Sequence, residues 1–391
     1  MKTSHVQSSQ QVVLCGLVAL AVAMGIGRFA FTPLLPLMMR DGTLDAGSGA
    51  VWAAANYAGY LLGALSAAWF AGRPRTGLQW GLLAVVISTL GMAAIQTDGS
   101  WLGGLLRATA GVGSAWVLVC ASSWCLPELA RRQATALGGW IYTGVGTGIA
   151  LTGLWAWLGG RQSAAWLWIE LGGLALGGAW WVLRRLSATS VTEQQVAATA
   201  ANVANTVPHA TRATGLIICY GAFGFGYIVP ATFLPTMARA LVDDPLIFGL
   251  TWPIFGAAAA LSVAMVSRWL SSWPRRKVWA CAQAIMGVGT CIPLLQQSLW
   301  ALAVSAILVG GTFMVATMAG LQLAREKMPT HPTPLLSRMT VGFALGQIAG
   351  PLGVRLLGTL QVSPPEALAY ASTTATLVLF ITAAWLWRDV A

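Results

Sequence analysis

Acidic and titratable residues are the scarcest part of this chain. Asp and Glu together number 11 in 391 residues, histidine 3, and charged residues of every kind make up 8%. Soluble domains carry about a quarter of their residues as charged side chains, so water is excluded as the solvent for most of the surface. His5, His209 and His331 fall in an N-terminal tail, a polar linker and a loop, apart from one another. That dispersal argues against a membrane-embedded enzyme such as a lipid-modifying transferase, which needs carboxylates, histidines or metal ligands within mutual reach. No catalytic residue, metal or cofactor is expected. The lysines, Lys2, Lys277 and Lys327, each lack the preceding glycine of a Walker loop. A basic soluble domain is missing as well, so the net charge of +11 does not point to a nucleic-acid partner. Cys15, Cys120, Cys125, Cys219, Cys281 and Cys291 lie within or at the ends of apolar runs without metal-ligand spacing. They read as small core residues.

What is abundant is apolar length. Hydrophobic residues make up 57% of the chain and its mean hydropathy is +0.71. Runs of about 20 residues suit helices crossing a hydrocarbon core of roughly 30 Å, whereas barrel strands would be about half as long and alternate in polarity. Twelve spans follow: Val12–Met38, Ala50–Phe70, Leu78–Ile95, Trp101–Cys125, Leu137–Leu158, Ala164–Leu183, Thr214–Met237, Ile247–Leu270, Val278–Leu295, Leu299–Leu323, Leu335–Leu360 and Ala367–Trp387. The first run has no A-x-A site and leads into a repeated segment, so it is taken as a span rather than a signal peptide. The fold class is an all-α integral membrane protein.

The repeat divides the chain. Gly16, Gly27, Leu35, Pro36, Met38 and Arg40 recur at constant offset as Gly215, Gly226, Leu234, Pro235, Met237 and Arg239. Gly49 and Trp52 likewise match Gly249 and Trp252, and Trp101 and Gly111 match Trp300 and Gly310. A parallel repeat about an axis along the membrane normal results. It gives a six-helix bundle at 1–183, a cytoplasmic linker at 184–212 without apolar periodicity, and a second six-helix bundle at 213–391. Alternate loops hold most of the basic residues, among them Arg73, Arg75, Arg131, Arg132, Arg275, Arg276 and Lys277. The positive-inside rule therefore places both termini in the cytoplasm.

Two arginines stand deep in apolar spans. Arg28 lies about ten residues before the outer end of the first span and Arg107 about six after the outer start of the fourth, so each sits roughly 10 to 15 Å below that interface. A charge near the bilayer centre costs at least ~2.5 kcal/mol, which calls for a cavity or a partner. The repeat puts Tyr227 where the first half has Arg28, as an asymmetric binding site between the halves would require. Gly104, Arg107, Gly111 and Ser114 share one helical face, small residues flanking the charge. Glu170 is the carboxylate well inside a span, a candidate for proton coupling or for a purely structural role. Gly350 and Pro351 mark close packing or a bend in the eleventh span, and Arg355 reads as interfacial. Gly25-Ile-Gly27-Arg28-Phe29-Ala30 fits a dinucleotide fingerprint on paper, but no strand precedes it. Its glycines suit close helix packing, or a helix softened near Pro33 and Pro36.

Two six-helix halves joined by a long linker, with Arg107-x-x-x-Gly111-x-Gly113 in the fourth span, resemble the major facilitator superfamily across the whole chain. The string Gly27-Arg28-Phe29-Ala30-Phe31-Thr32-Pro33-Leu34-Leu35-Pro36-Leu37-Met38 resembles the signature of its YbfB/YjiJ-type branch. The loop Gly72-Arg73-Pro74-Arg75-Thr76-Gly77 departs from the superfamily pattern by lacking an acidic residue. The resemblance implies a secondary transporter of the inner membrane, working as a monomer in the lipid bilayer on a small-molecule substrate, with proton coupling a candidate energy source. It also implies that helices one, four, seven and ten line a central cavity. Arg28, Thr32, Arg107, Ser114, Tyr227 and Thr312 are then expected along the substrate path, with Asn56, Tyr142 and Gln347 nearby and Gly111, Gly113, Gly350 and Pro351 in packing or gating. Two arginines without matching acids favour a small organic anion. The alternative is a multidrug exporter, since Trp, Phe and Met would also line a greasy cavity.

Overall fold

The computed structural model describes residues 8–70, 72–95, 101–187, 210–242, 244, 247, 249–270, 272–328 and 333–388. Most of the expected linker, together with His5, His209 and His331, lies outside the described residues. The rest is helical, and the helices are α1 (Ser9–Arg40), α2 (Ala46–Ser66), α3 (Pro74–Met92), α4 (Trp101–Arg131), α5 (Thr143–Leu158), α6 (Ala164–Ser187), α7 (Ala210–Leu241), α8 (Thr251–Trp269), α9 (Arg275–Leu295), α10 (Leu299–Lys327), α11 (Thr333–Thr359) and α12 (Pro364–Arg388). Eight of them are long and apolar enough by themselves to cross a membrane. The other four, α2, α3, α5 and α8, complete the two bundles.

Local chemistry moves several of the expected boundaries. α2 starts earlier than the apolar run because the Asp45 carboxylate accepts the Ser48 N–H at 2.6 Å, and it ends in a 3₁₀ turn, Ala67–Phe70. α4 outlasts the hydrophobic stretch through Glu128, which binds Arg131 at 2.7 Å and also pairs with Arg132, one turn further on. The span expected at Leu137–Leu158 is a 3₁₀ segment, Thr135–Tyr142, leading into α5.

The bundle surface is apolar. Leu62, Ile87, Leu261 and Leu356 are exposed along the helix flanks, as expected where lipid is the solvent. Trp69, Trp101 and Trp300 are exposed at helix ends, where indoles anchor in the headgroup region. All six cysteines are free thiols, four of them buried.

Two seams join the halves, α2 against α11 and α5 against α8. A two-fold relating α2 to α8 and α5 to α11 exchanges them, as the sequence repeat demands. Backbone approach in the second seam requires glycine: a Cβ at Gly146 would strike the backbone of Ala259 and Ala260. Beside these seams α1 meets α7, which brings the repeated segments face to face.

Candidate functional site

The site is built on a disturbed helix. Within α1, Ala21–Phe29 winds as a π-helix before α-geometry resumes at Phe31. Pro33 explains where the ladder breaks. It has no N–H to give the carbonyl of Phe29 four residues back or that of Arg28 five residues back. At Arg28 the donor is supplied instead by Arg107 of α4, Nη2 lying 2.7 Å from that carbonyl, and its Nη1 donates to the neighbouring Gly27 carbonyl at 3.0 Å. Its guanidinium also lies 4.9 Å from the centre of the Phe31 ring. The softening expected near the prolines thus takes the form of a π segment strapped by an arginine, a feature common at functional sites.

That strap aims Arg28 at the middle of the protein. Its guanidinium stacks over Tyr60 at 3.9 Å from the ring centre, with Phe29 and Tyr57 at 5.3 and 5.5 Å. Nη2 donates to Gln347 Oε1 of α11, and Gln347 Nε2 donates to the Tyr227 hydroxyl of α7. Nε has no partner although it is buried. Tyr227 itself is held between Phe313 and Phe343, with ring centres 5.4 and 5.6 Å away and planes within 9° and 6° of parallel. Cation–π contacts contribute up to ~2 kcal/mol when desolvated, yet leave the charge unneutralised.

Arg28 and Tyr227 stand at one end of a cavity of about 880 Å³. Its walls include Phe29, Tyr60, Tyr220, Phe313 and Phe343, and its far end carries Arg75, Glu128 and Arg131, from the basic-loop side of the molecule. Four of the six tyrosines face it: Tyr60, Tyr142, Tyr220 and Tyr227. Among the described residues Glu128 is the one carboxylate in the lining, and two arginines hold it. On the other side of Arg28 the halves are closed. The Tyr57 and Thr232 hydroxyls share a hydrogen bond of 3.2 Å, and Arg239 donates to the Pro36 carbonyl at 2.6 Å. Arg40, the repeat partner of Arg239, donates to the carbonyls of Gly160 and Gln162 in the turn before α6.

The expected site residues therefore divide. Arg28, Tyr142 and Tyr227 line the cavity, and Gln347 joins Arg28 to Tyr227 from behind. Tyr142 shares a 3.0 Å hydrogen bond with Ser122. Arg107, Asn56 and Ser114 are turned into helix contacts: Asn56 donates to the Arg107 carbonyl at 2.8 Å, and Ser114 to the Ala23 carbonyl at 2.7 Å. Thr32 is buried outside the lining, and the Thr312 hydroxyl is spent on the Leu308 carbonyl at 2.6 Å. Glu170 is half-buried away from the cavity and accepts the Trp155 indole N–H at 2.7 Å. At Gly111 and Gly113 a Cβ would meet the Asn56 and Gly81 carbonyls, and at Gly350 it would press on Ile228. Pro351 is buried beside Gly350, and Arg355 is exposed.

Sequence reasoning passed over Tyr60, Phe313, Phe343 and Glu128. For the tyrosine a signal existed: tyrosines number six in the chain, and a buried phenol needs a partner. Glu128 was marked by its acid–base spacing to Arg131 and Arg132. Nothing distinguished the two phenylalanines from ordinary core. Among the described residues no group of three or more His, Cys, Asp or Glu is placed to hold a metal.

Comparison with known proteins agrees with this architecture. The crystal structure of a D-xylose-proton symporter superposes with a TM-score of 0.75 at 13% identity, covering 97% of each chain. A nucleoside transporter, NupG, superposes with a TM-score of 0.71 at 13% identity, over 95% of this chain and 99% of that one. At such identity the likeness is one of fold. No curated protein sequence matches the chain. The family described as "Uncharacterised MFS-type transporter YbfB" matches residues 20–386. Twelve helices in two pseudo-symmetric bundles, a central cavity and that match over nearly the whole length mean that this multi-pass membrane protein belongs to the YbfB family of MFS-type transporters.

Proposed function

We propose that the protein is a secondary active transporter that carries a small organic anion across the cytoplasmic membrane by rocking of its two halves. The observation that carries the proposal is Arg28: a buried guanidinium at the closed end of a central cavity, with one neutral side-chain hydrogen-bond acceptor, an unpaired Nε and, among the described residues, no carboxylate beside it. Rings stacked on the cation lessen its cost in a low-dielectric setting, and an incoming anion offsets the rest. Arg107 serves the site indirectly by fixing the π segment that aims Arg28.

With the orientation expected from the basic loops, the open end of the cavity faces the cytoplasm and the conformation is inward-open. Closure on the outer side rests on Tyr57–Thr232 and Arg239–Pro36, and opening that side means breaking these contacts while the cytoplasmic ends of the bundles converge. The aromatic lining also favours a lipophilic cargo, which keeps the multidrug exporter as the second reading. Uptake into proteoliposomes decides between them. Transport of organic anions that is lost in Arg28→Ala supports the first reading, and transport of lipophilic cations that survives Arg28→Ala supports the second.

A further inference from the structure

The closed end of the cavity is specific about charge and shape. Arg28 offers an edge of two parallel donors, Nε and Nη2. Nε is buried and unpartnered, while Nη2 is occupied by a neutral carboxamide oxygen, that of Gln347. A carboxylate satisfies both donors at once, in a charge-assisted bidentate pair about twice as strong as a neutral hydrogen bond. Gln347 Oε1 therefore holds the place that suits one oxygen of a carboxylate, and it is the weaker occupant.

One carboxylate is what the site balances. The other deep arginine, Arg107, has both terminal nitrogens engaged on the Gly27 and Arg28 carbonyls and does not line the cavity. A second negative charge would lie among rings. Those rings define the rest of the ligand. Tyr60 is stacked under Arg28, and Tyr227 is aligned with Phe313 and Phe343 nearly in parallel. Rings already stacked on one another offer a ligand ring their edges along the cavity wall, where edge contacts favour an aromatic partner.

Resting on the anion reading above, we propose that the substrate is an aromatic monocarboxylate whose carboxylate displaces Gln347 from Arg28. Its ring meets the edges of Tyr60 and Tyr227 where they line the cavity. The exchange has a mechanical consequence, because Arg28 belongs to α1 and Gln347 to α11. The Arg28–Gln347 bond ties the two halves together, and substrate binding unties it. Binding thereby removes one tie between the halves, leaving Tyr57–Thr232 and Arg239–Pro36 to hold the outer side closed.

The test is calorimetric titration of the purified full-length protein in detergent with benzoate, cyclohexanecarboxylate and terephthalate. Benzoate is expected to bind about three- to tenfold more tightly than cyclohexanecarboxylate, the margin that ring–ring contact supplies, and terephthalate more weakly than benzoate. Equal affinity for benzoate and cyclohexanecarboxylate overturns the aromatic class while leaving the anion reading in place. Failure of all three to bind, or unchanged binding by Arg28→Gln, overturns both. Removing the competitor in Gln347→Ala is expected to tighten benzoate binding about tenfold, and weakened or unchanged binding overturns the displacement. Gln347→Glu supplies a built-in carboxylate, and it is expected to fold, to resist heat better than the parent and to lose benzoate binding. A folded Gln347→Glu protein that binds benzoate as the parent does overturns the displacement as well.

Discussion

Arg107→Met separates two roles for the fourth-span arginine. If Arg107 straps the π segment, the substitution removes the donors of the Gly27 and Arg28 carbonyls and leaves the helix axis otherwise intact. Arg28's carbonyl cannot take the donor that π geometry would give it, because the residue five positions on is Pro33. The Gly27 carbonyl stands at the changeover from π to α geometry and loses a bond of 3.0 Å. An unsatisfied buried carbonyl costs about 1–3 kcal/mol. Against two such losses stands the relief of removing a desolvated charge, so the net destabilisation is expected at ~2–4 kcal/mol. Arg107→Lys keeps the charge but not the fork, and should recover about half of that. The assay is thermal unfolding in detergent followed by tryptophan fluorescence, paired with ligand titration on the protein that remains folded. Arg107→Met protein as heat-resistant as the parent yet unable to bind anion would refute the strap and make Arg107 a direct ligand, as the sequence alone led one to expect.

Arg28→Ala should abolish anion uptake into proteoliposomes with little change in thermal stability, and Arg28→Lys should restore it only in part, at about a tenth of the parent rate or less, because the two-donor edge is lost; normal uptake by Arg28→Ala refutes the anchor. Glu170→Gln removes an acceptor from an exposed indole contact, so its cost is expected below ~1 kcal/mol, and any response of transport to a pH gradient should persist. A folded Glu170→Gln protein that exchanges substrate but no longer responds to the gradient would assign the proton to this carboxylate. Cysteines replacing Arg75 and Arg161 should react with an impermeant thiol reagent from opposite sides of sealed cells, Arg161→Cys from outside and Arg75→Cys only after lysis. Labelling of Arg75→Cys in intact cells would reverse the orientation.

Much of the fold was legible because lipid imposes a coarse rule. Every span must hide its backbone polar groups, so apolar length alone marks the helices, and the glycine, proline and arginine positions repeated between the halves marked the symmetry. Helix ends were less legible where polar chemistry outlasts hydropathy. Asp45 starts α2 ahead of the apolar run and Glu128 carries α4 beyond Cys125, since hydrogen bonds and ion pairs rather than transfer energy decide those turns.

The site was legible as a charge anomaly but not as a geometry. Depth identified Arg28 and Arg107 together, because burial of a guanidinium costs the same whatever relieves it. What distinguishes them is the relief. Arg107 is answered by two backbone carbonyls of another helix, Gly27 and Arg28, the second of which Pro33 leaves without a π-type donor, a relation spanning 79 residues. Arg28 is answered by rings and one carboxamide, which leaves a donor edge incompletely used. The repeat, meanwhile, had already pointed to the pair that matters. Arg28 and Tyr227 occupy equivalent places in the two halves, and Gln347 bonds to both. A symmetric pair of arginines at that point would repel across the axis, and a symmetric pair of tyrosines would hold no charge. One of each, joined by a residue that both accepts and donates, lets a two-fold scaffold present a single cation to its central cavity.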